Sequence, residues 1–176
     1  GFTVQICHFL CALSQVPMTA VTPRLHELAA RNQLPDVRKL FFGRMRQMLA
    51  LYMVLAVACA VFAPPLLTFI GAKTTLLPLP MLSLLLVFFL LENHRNNFVL
   101  LVSVFNHFPF WKYDLLSGAT VIAGSFFALG FAQIGGLVAW LWIVQLSWNF
   151  WWPVREGLKK IGSNWTTYER TLLKNI

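Results

Sequence analysis

The sequence predicts an all-α fold, a polytopic transmembrane helix bundle. Hydrophobic residues make up 58% of the 176 residues and charged residues only 11%, whereas soluble domains are about 45–50% apolar. Two stretches, 47–72 and 115–154, contain no Asp, Glu, Lys or Arg. Because one membrane-spanning helix needs only about 20 apolar residues, the second stretch is long enough for two spans.

Five membrane-spanning helices are predicted, at 2–20, 43–70, 80–105, 114–132 and 136–153. Each is an apolar run bounded by charges, prolines or glycines. The third span is predicted to continue through the polar residues at its middle. The apolar residues before those polar ones would rise only about 15–18 Å as a helix, too short for a hydrocarbon core of roughly 30 Å.

Local signals mark the ends of these spans. Pro64 and Pro65 predict a kink or a helix end near the end of the second span. Asn106 and Pro109 end the third span, and Asp114 suits the first position of the fourth. The uncharged turn Gln133–Gly136 separates the fourth span from the fifth.

Basic residues concentrate in two segments, a connection at 21–42 that extends to Arg46 and a tail at 154–176. They are Arg24, Arg31, Arg38, Lys39, Arg44 and Arg46 in the first, and Arg155, Lys159, Lys160, Arg170 and Lys174 in the second. The positive-inside rule predicts that both segments are cytoplasmic. In the connection, an amphipathic helix ends near Leu34, and Asp36 is expected to cap the next one. Five spans then place residue 1 on the opposite side of the membrane.

A group of polar residues lies in the middle of the third span. It consists of Glu92, Asn93, His94, Arg95, Asn96 and Asn97. A charged side chain at bilayer depth costs about 2.5–3.5 kcal/mol on insertion scales, so such residues usually face a bundle interior or an aqueous cavity. Arg95 and Asn96 follow Glu92 by three and four residues, which places all three on one helix face where pairing offsets part of the cost.

Two interpretations of this group are open. In the first, Glu92 and Arg95 line a central cavity, where Arg95 meets an anionic group and Glu92 couples transport to a proton or cation. In the second, the two residues form a structural ion pair between helices. We predict the cavity. His94 points in another direction and is a candidate either for the site or for a hydrogen bond to a neighbouring helix.

The fifth span adds two polar candidates. Gln145 and Asn149 are four residues apart and therefore share a helix face. Interhelical hydrogen bonding is the alternative role for both. The predicted substrate-binding or coupling residues are thus Glu92, Arg95, Asn96, His94, Gln145 and Asn149.

Other functions lack a signal in the sequence. No Walker loop, nucleophile elbow, zinc-protease helix or dinucleotide fingerprint occurs, and nothing positions a nucleophile beside a base. We therefore predict no enzyme activity, no cofactor and no metal site. The formal net charge of +8 could suggest nucleic acid, but the basic residues separate apolar runs and form no surface interleaved with aromatics. No nucleic-acid partner is predicted.

Several motifs point to one family of transporters. They are Glu92-Asn93-His94 within a span, Asn106 with Pro109-Phe110, Leu116-Ser117-Gly118, Gly135-Gly136, Gln145, Asn149-Phe150-Trp151-Trp152-Pro153, and the stretch from Pro23-Arg24-Leu25 to Asp36-Val37-Arg38. Together they resemble the C-terminal half of O-antigen flippase-like polysaccharide transporters. These belong to the multidrug, oligosaccharidyl-lipid and polysaccharide exporter superfamily. The stretch from Pro23 to Arg38 resembles the cytoplasmic connection between the second and third helices of a lobe.

The resemblance implies a transporter of twelve or more helices in two lobes, of which this chain supplies the last five spans. Its partners would be the remaining lobe, membrane lipid and a glycan linked to polyprenyl pyrophosphate. The implied function is a flippase that moves this glycan across the bacterial inner membrane by alternating access, with the C-terminus in the cytoplasm. Arg95 would then bind pyrophosphate or an acidic sugar.

Two alternatives remain. An ion-coupled exporter of drugs or metabolites from the same superfamily would depend on Glu92, while Arg95 would oppose cationic substrates. A membrane-embedded glycan polymerase or ligase would need a large charged loop outside the membrane, since catalytic residues usually lie on such loops. Both outer turns of this chain are short.

Overall fold

The structure, a computed structural model, describes residues 2–71, 76–106 and 110–173. Its helices are α1 Phe2–Ser14, α2 Val16–Thr19, α3 Thr22–Ala30, α4 Leu34–Phe69, α5 Leu79–Ser103, α6 Trp111–Val144, a π-helical turn Gln145–Asn149, α7 Trp151–Lys160 and α8 Trp165–Leu173. No strand occurs in these ranges. The predicted all-α fold is confirmed.

Two helices, α4 and α5, are long and apolar enough to cross a membrane. A third candidate exists if α1 and α2 are counted with α3 as one span, with a bend of 42° between them. Within α6, the apolar helix Asp114–Gly130 is shorter. Among the described residues, two or three of the five predicted spans therefore meet the length and hydropathy of a membrane-crossing helix.

The chain reverses direction within α6. Trp140 Nε1 donates a hydrogen bond of 3.1 Å to the carbonyl of Thr120, and Trp148 Nε1 donates one of 2.9 Å to Ser117 Oγ. A straight helix rises about 1.5 Å per residue, which would separate Trp140 from Thr120 by about 30 Å. Gln133 has a positive φ of 50°. The reversal therefore lies at the predicted turn Gln133–Gly136, and the two arms of α6 are antiparallel.

Two apolar cores surround the polar middle of α5. One lies between α1, α4 and the first half of α5, and contains Cys7, Leu10, Tyr52, Leu82 and Leu86. The other lies at the end where α4 begins, and contains Met18, Leu25, Phe41, Phe98 and Leu158. Two hydrogen bonds connect α1 with α5 and the residues just before it. Leu77 N–H donates to Thr3 Oγ1 at 3.3 Å, and Asn93 Nδ2 donates to Ser14 Oγ at 2.9 Å.

The predicted basic tail folds back onto the bundle as α7 and α8. Gly157 on α7 lies so close to α5 that a Cβ there would stand 2.6 Å from the ring of Phe98. Tyr168 on α8 is buried, and its ring centroid lies 5.0 Å from that of Phe42 on α4. The tail and the start of α4 therefore occupy the same end of the molecule, where the basic residues of both segments lie.

Three local expectations differ from the structure. Pro64 and Pro65 lie inside α4, which continues to Phe69, so the helix does not end at them; a kink at these prolines stays a prediction. The connection does not end as a separate helix before the second span, because α4 runs without interruption from Leu34. Asp36 lies in the first turn of α4 and does not cap it. An acidic residue in a first turn still interacts favourably with the helix dipole.

Candidate functional site

Arg95 is the centre of a polar network between α5 and the segment from α6 to α7. Its side chain is only 10% exposed. Nη1 donates hydrogen bonds of 3.0 Å to Glu92 Oε1 and 3.1 Å to Asn96 Oδ1. Nη2 donates to Asp114 Oδ1, and Nε donates to the backbone carbonyl of Asn149 at 3.1 Å. All three nitrogens of the guanidinium are therefore engaged.

Asp114 is a partner that sequence reasoning missed. It is expected to cap the fourth span, but Phe110 holds the cap position of α6 and no side chain caps that helix end. The carboxylate pairs with Arg95 instead. The sequence does contain one signal for this pairing: Asp114 is the only acidic residue between Glu92 and Glu156. A guanidinium at bilayer depth needs such a partner.

The Asn149 carbonyl is available because of the local sequence. In a regular α-helix it would accept the N–H of residue 153, but that residue is Pro153, which has no N–H. Directly before it, the helix widens to a π-helical turn in which Phe150 N–H reaches the Gln145 carbonyl at 3.0 Å. Such turns are frequent at functional sites. Position 153 therefore donates no backbone hydrogen bond to the carbonyl that accepts from Arg95.

These residues line a cavity of about 510 Å³ between α1, α5 and the α6 hairpin. The lining residues are His8, Phe88, Phe89, Glu92, Arg95, Asp114, Ser117, Gly118, Val121, Leu141, Val144, Gln145 and Asn149. One part of the wall is therefore charged or amide-bearing and the other is aromatic and aliphatic. We call this space the Arg95 cavity.

Gln145 contributes an unused hydrogen-bond donor to the Arg95 cavity. Its side chain is 1% exposed, and its Oε1 accepts a bond of 2.6 Å from Asn149 Nδ2. Its Nε2 has no partner. Leaving a buried donor unpaired costs about 1–3 kcal/mol, so an acceptor towards which this side chain turns would recover that free energy.

The opposite face of α5 carries polar residues that contact protein. His94 Nε2 lies 2.6 Å from the Tyr168 hydroxyl, and the imidazole stacks on Phe150 with ring centroids 5.3 Å apart. Asn93 bonds to Ser14 and Gln15. Burial raises the pKa of the Tyr168 phenol, so its hydroxyl keeps its proton at neutral pH. Sequence reasoning gave no role to Tyr168.

The structure brings together four of the six predicted site residues. Glu92, Arg95, Gln145 and Asn149 line the Arg95 cavity. Asn96 contacts Arg95 but is exposed and does not line that space. His94 lies on the other face of α5. Within the described ranges, no three His, Cys, Asp or Glu side chains are placed to hold a metal ion.

No protein-family model, curated protein or solved structure matches this chain. The likeness to O-antigen flippase-like transporters therefore depends on the sequence motifs alone. The function must be argued from the geometry of the Arg95 cavity.

Proposed function

We propose that this chain forms part of a membrane transporter that moves a lipid-linked oligosaccharide across the bilayer by alternating access. The observation that supports the proposal most directly is the position of the mid-helix charges. Glu92 and Arg95 line an interhelical cavity, although they belong to a predominantly apolar helix. Ionisable residues placed in this way usually mark a substrate or ion pathway.

The walls of the Arg95 cavity suit the polar portion of such a substrate. Sugar hydroxyls both donate and accept hydrogen bonds, and the cavity presents carboxylate acceptors from Glu92 and Asp114 together with the free Gln145 donor. Phe88 and Phe89 form part of the apolar wall, against which the apolar faces of a sugar ring would pack. A few converging polar groups on a largely apolar wall are typical of ligand pockets.

Arg95 has two arrangements in this proposal. In the structure its charge is held by Glu92 and Asp114. A diphosphate or acidic sugar offers the same planar pairing to a guanidinium that a carboxylate does. Such a substrate would exchange with Asp114, and it would thereby separate α5 from the start of α6. Binding and helix movement would then be coupled through one side chain.

The proposal is tested by export of lipid-linked glycan in cells that express the intact protein with Arg95→Ala. Loss of one charged hydrogen bond costs about 1.5–3 kcal/mol, so export should fall about tenfold or more at equal protein level. Arg31→Ala is the matched control, because this exposed arginine lies outside the cavity, directly after α3. Equal export in the Arg95 variant and the control would remove Arg95 from the pathway.

A second test measures whether water reaches the Arg95 cavity, by labelling single cysteines with a water-soluble maleimide. The background lacks Cys7, Cys11 and Cys59, and single cysteines replace Glu92, Asp114 or Asn97. Positions 92 and 114 line the cavity and should react, whereas Asn97, which is 1% exposed and lies away from it, should not. No reaction at the two cavity positions would mean that the charges form a dry structural group.

An ion-coupled exporter is a second candidate, and one observation favours it. Counted as ionised, Glu92 and Asp114 supply two negative charges to the single positive charge of Arg95. A net negative cavity suits a proton, a metal cation or an organic cation. Binding of an anionic glycolipid and of an organic cation, measured before and after Asp114→Asn, distinguishes the two candidates. The substitution should weaken the binding of the organic cation only.

A further inference from the structure

A groove between α7 and α8 has the composition of a lipid-headgroup site. Its volume is about 480 Å³, and its walls come from Trp151, Val154, Arg155, Leu158, Lys159, Ser163, Asn164 and Trp165. It is separate from the Arg95 cavity, since the two share no lining residue. The predicted fifth span ends at residue 153, so the groove begins where the apolar run ends.

Two cations point to an anionic ligand. Arg155 and Lys159 are four residues apart on α7, which places them on one face of that helix. Both are exposed and neither forms an ion pair within the described part of the chain. No acidic residue lines the groove. Glu169 reaches its rim only through a hydrogen bond accepted from Trp165 Nε1.

Neutral donors add to this charge. The Ser163 hydroxyl is buried without a partner, and Ser163 belongs to the groove wall. The nine-residue helix α8 begins at the groove with Trp165, and Asn164 Oδ1 caps it by accepting the Thr167 N–H at 2.8 Å. A helix N-terminus carries partial positive charge. The unpaired hydroxyl and this positive end both favour a phosphate oxygen.

Apolar surface next to these donors favours a lipid over a soluble anion as the ligand of the groove. Val154 and Leu158 are buried and form the floor. Trp151 and Trp165 form walls, with ring centroids 5.8 Å apart and with 50% and 37% of their surface exposed. Tryptophan is enriched at the level of lipid headgroups, where one side of the ring is apolar and the other is wet.

We propose that this groove binds the phosphodiester headgroup of an anionic phospholipid. Arg155 and Lys159 hold the phosphate, Ser163 Oγ donates to one of its oxygens, and the two indoles pack against the glycerol and the first acyl carbons. The site does not depend on what the Arg95 cavity carries. Because the lipid contacts both helices, it also fixes the position of α8, which places Tyr168 against His94.

The proposal is tested by native mass spectrometry of the detergent-solubilised chain titrated with phosphatidylglycerol or phosphatidylcholine. The wild-type chain should retain phosphatidylglycerol preferentially. Each basic side chain near a membrane surface contributes about 1 kcal/mol to anionic-lipid binding, so the double variant Arg155→Gln/Lys159→Gln should bind it about tenfold or more weakly. Both residues are exposed, so folding should be unaffected.

The matched control is Arg38→Gln/Lys39→Gln, which removes the same charge from α4 outside the groove. Equal losses of phosphatidylglycerol binding in the two double variants would mean that basic residues attract the lipid wherever they lie, and would overturn the proposed site. Equal retention of phosphatidylcholine would also overturn it. Competition by soluble glycerol phosphate as strong as that by the lipid would identify a free-phosphate site instead. Ser163→Ala should weaken phosphatidylglycerol binding without removing charge, and an unchanged affinity would contradict the geometry.

Discussion

Arg95 and His94, on two faces of α5, are equally buried but differ in what they contact. Arg95 is 8% exposed and His94 is 7% exposed, yet these neighbours in sequence point into different surroundings. Both sides hold an unpaired buried polar atom, Gln145 Nε2 near Arg95 and His94 Nδ1 on the other side, but only Arg95 lines a cavity. His94 packs between Phe150, Phe98 and Tyr168. Burial alone therefore does not identify a functional site, whereas unfilled space beside a charged group does.

The difference originates in the neighbours of α5. The Asn93 side meets α1 and α4, whose side chains reach it directly, including Ser14 Oγ and Met48 Sδ. The Arg95 side meets the α6 hairpin, where the small residues Ser117 and Gly118 line the gap. Small side chains leave the space that larger ones would fill. We call the two sides the dry face (Asn93, His94, Asn97) and the cavity face (Glu92, Arg95).

The largest effect on stability is expected on the dry face, for Asn93→Ala. The change leaves Ser14 Oγ without the amide donor and Gln15 Nε2 without its acceptor. Unpaired buried polar groups cost about 1–3 kcal/mol each, so the free energy of unfolding should fall by about 3 kcal/mol. Unfolding in mixed micelles, followed by circular dichroism, measures this. Ser83→Ala, at an exposed position of α5, is the control and should change stability by about 0.5 kcal/mol or less; equal losses would erase the distinction between the faces.

A smaller effect is expected for Tyr168→Phe, which tests whether the dry face extends to α8. The ring remains and only the hydroxyl that lies 2.6 Å from His94 Nε2 is lost. Loss of one buried hydrogen bond costs about 1 kcal/mol, and the same unfolding measurement reports it. The matched removal of His94 in His94→Phe/Tyr168→Phe should restore part of the loss, because no polar atom of the pair is then left unpaired. Additive losses would mean that the two residues do not interact.

The smallest effect on stability, but a clear one on transport, is expected on the cavity face for Gln145→Met. The substitution removes the unpaired Nε2 and also the acceptor of Asn149 Nδ2. These contributions oppose each other, so the free energy of unfolding should change by about 1 kcal/mol or less. On the proposed function, export of lipid-linked glycan should nevertheless fall, since the substrate would lose a donor. A large loss of stability with unchanged export would assign Gln145 to structure alone.

The sequence allowed prediction of contacts that are local along one helix. The spacing of Glu92 and Arg95 predicts their pairing, which the structure contains at 3.0 Å. The uncharged turn Gln133–Gly136 lies where the chain reverses. Asp114 and Tyr168 could not be assigned in this way, because their partners lie on other helices 19 and 74 residues away. Such pairings depend on how helices pack, and periodicity within one helix does not encode them.

The tail shows the same limit. Residues 154–176 were predictable as basic, because charge is a property of composition. The packing of α7 and α8, which contain most of the described part of this tail, depends on single large side chains such as Tyr168, which packs against Phe42 of α4 and Phe98 of α5. Composition therefore predicts the side of the membrane, and individual residues decide the packing.

Pro153 shows how a missing backbone N–H can affect a side-chain hydrogen bond elsewhere in the chain. Arg95 donates to the Asn149 carbonyl, and position 153 has no amide hydrogen to share that acceptor. Alanine scanning interprets each position by the side chain it removes, but Pro153→Ala would add a backbone donor that competes with Arg95. A substitution at position 153 therefore changes the surroundings of this hydrogen bond without touching Arg95 or Asn149. In comparisons of descendants of this chain, positions 95 and 153 should change together even though their side chains share no bond.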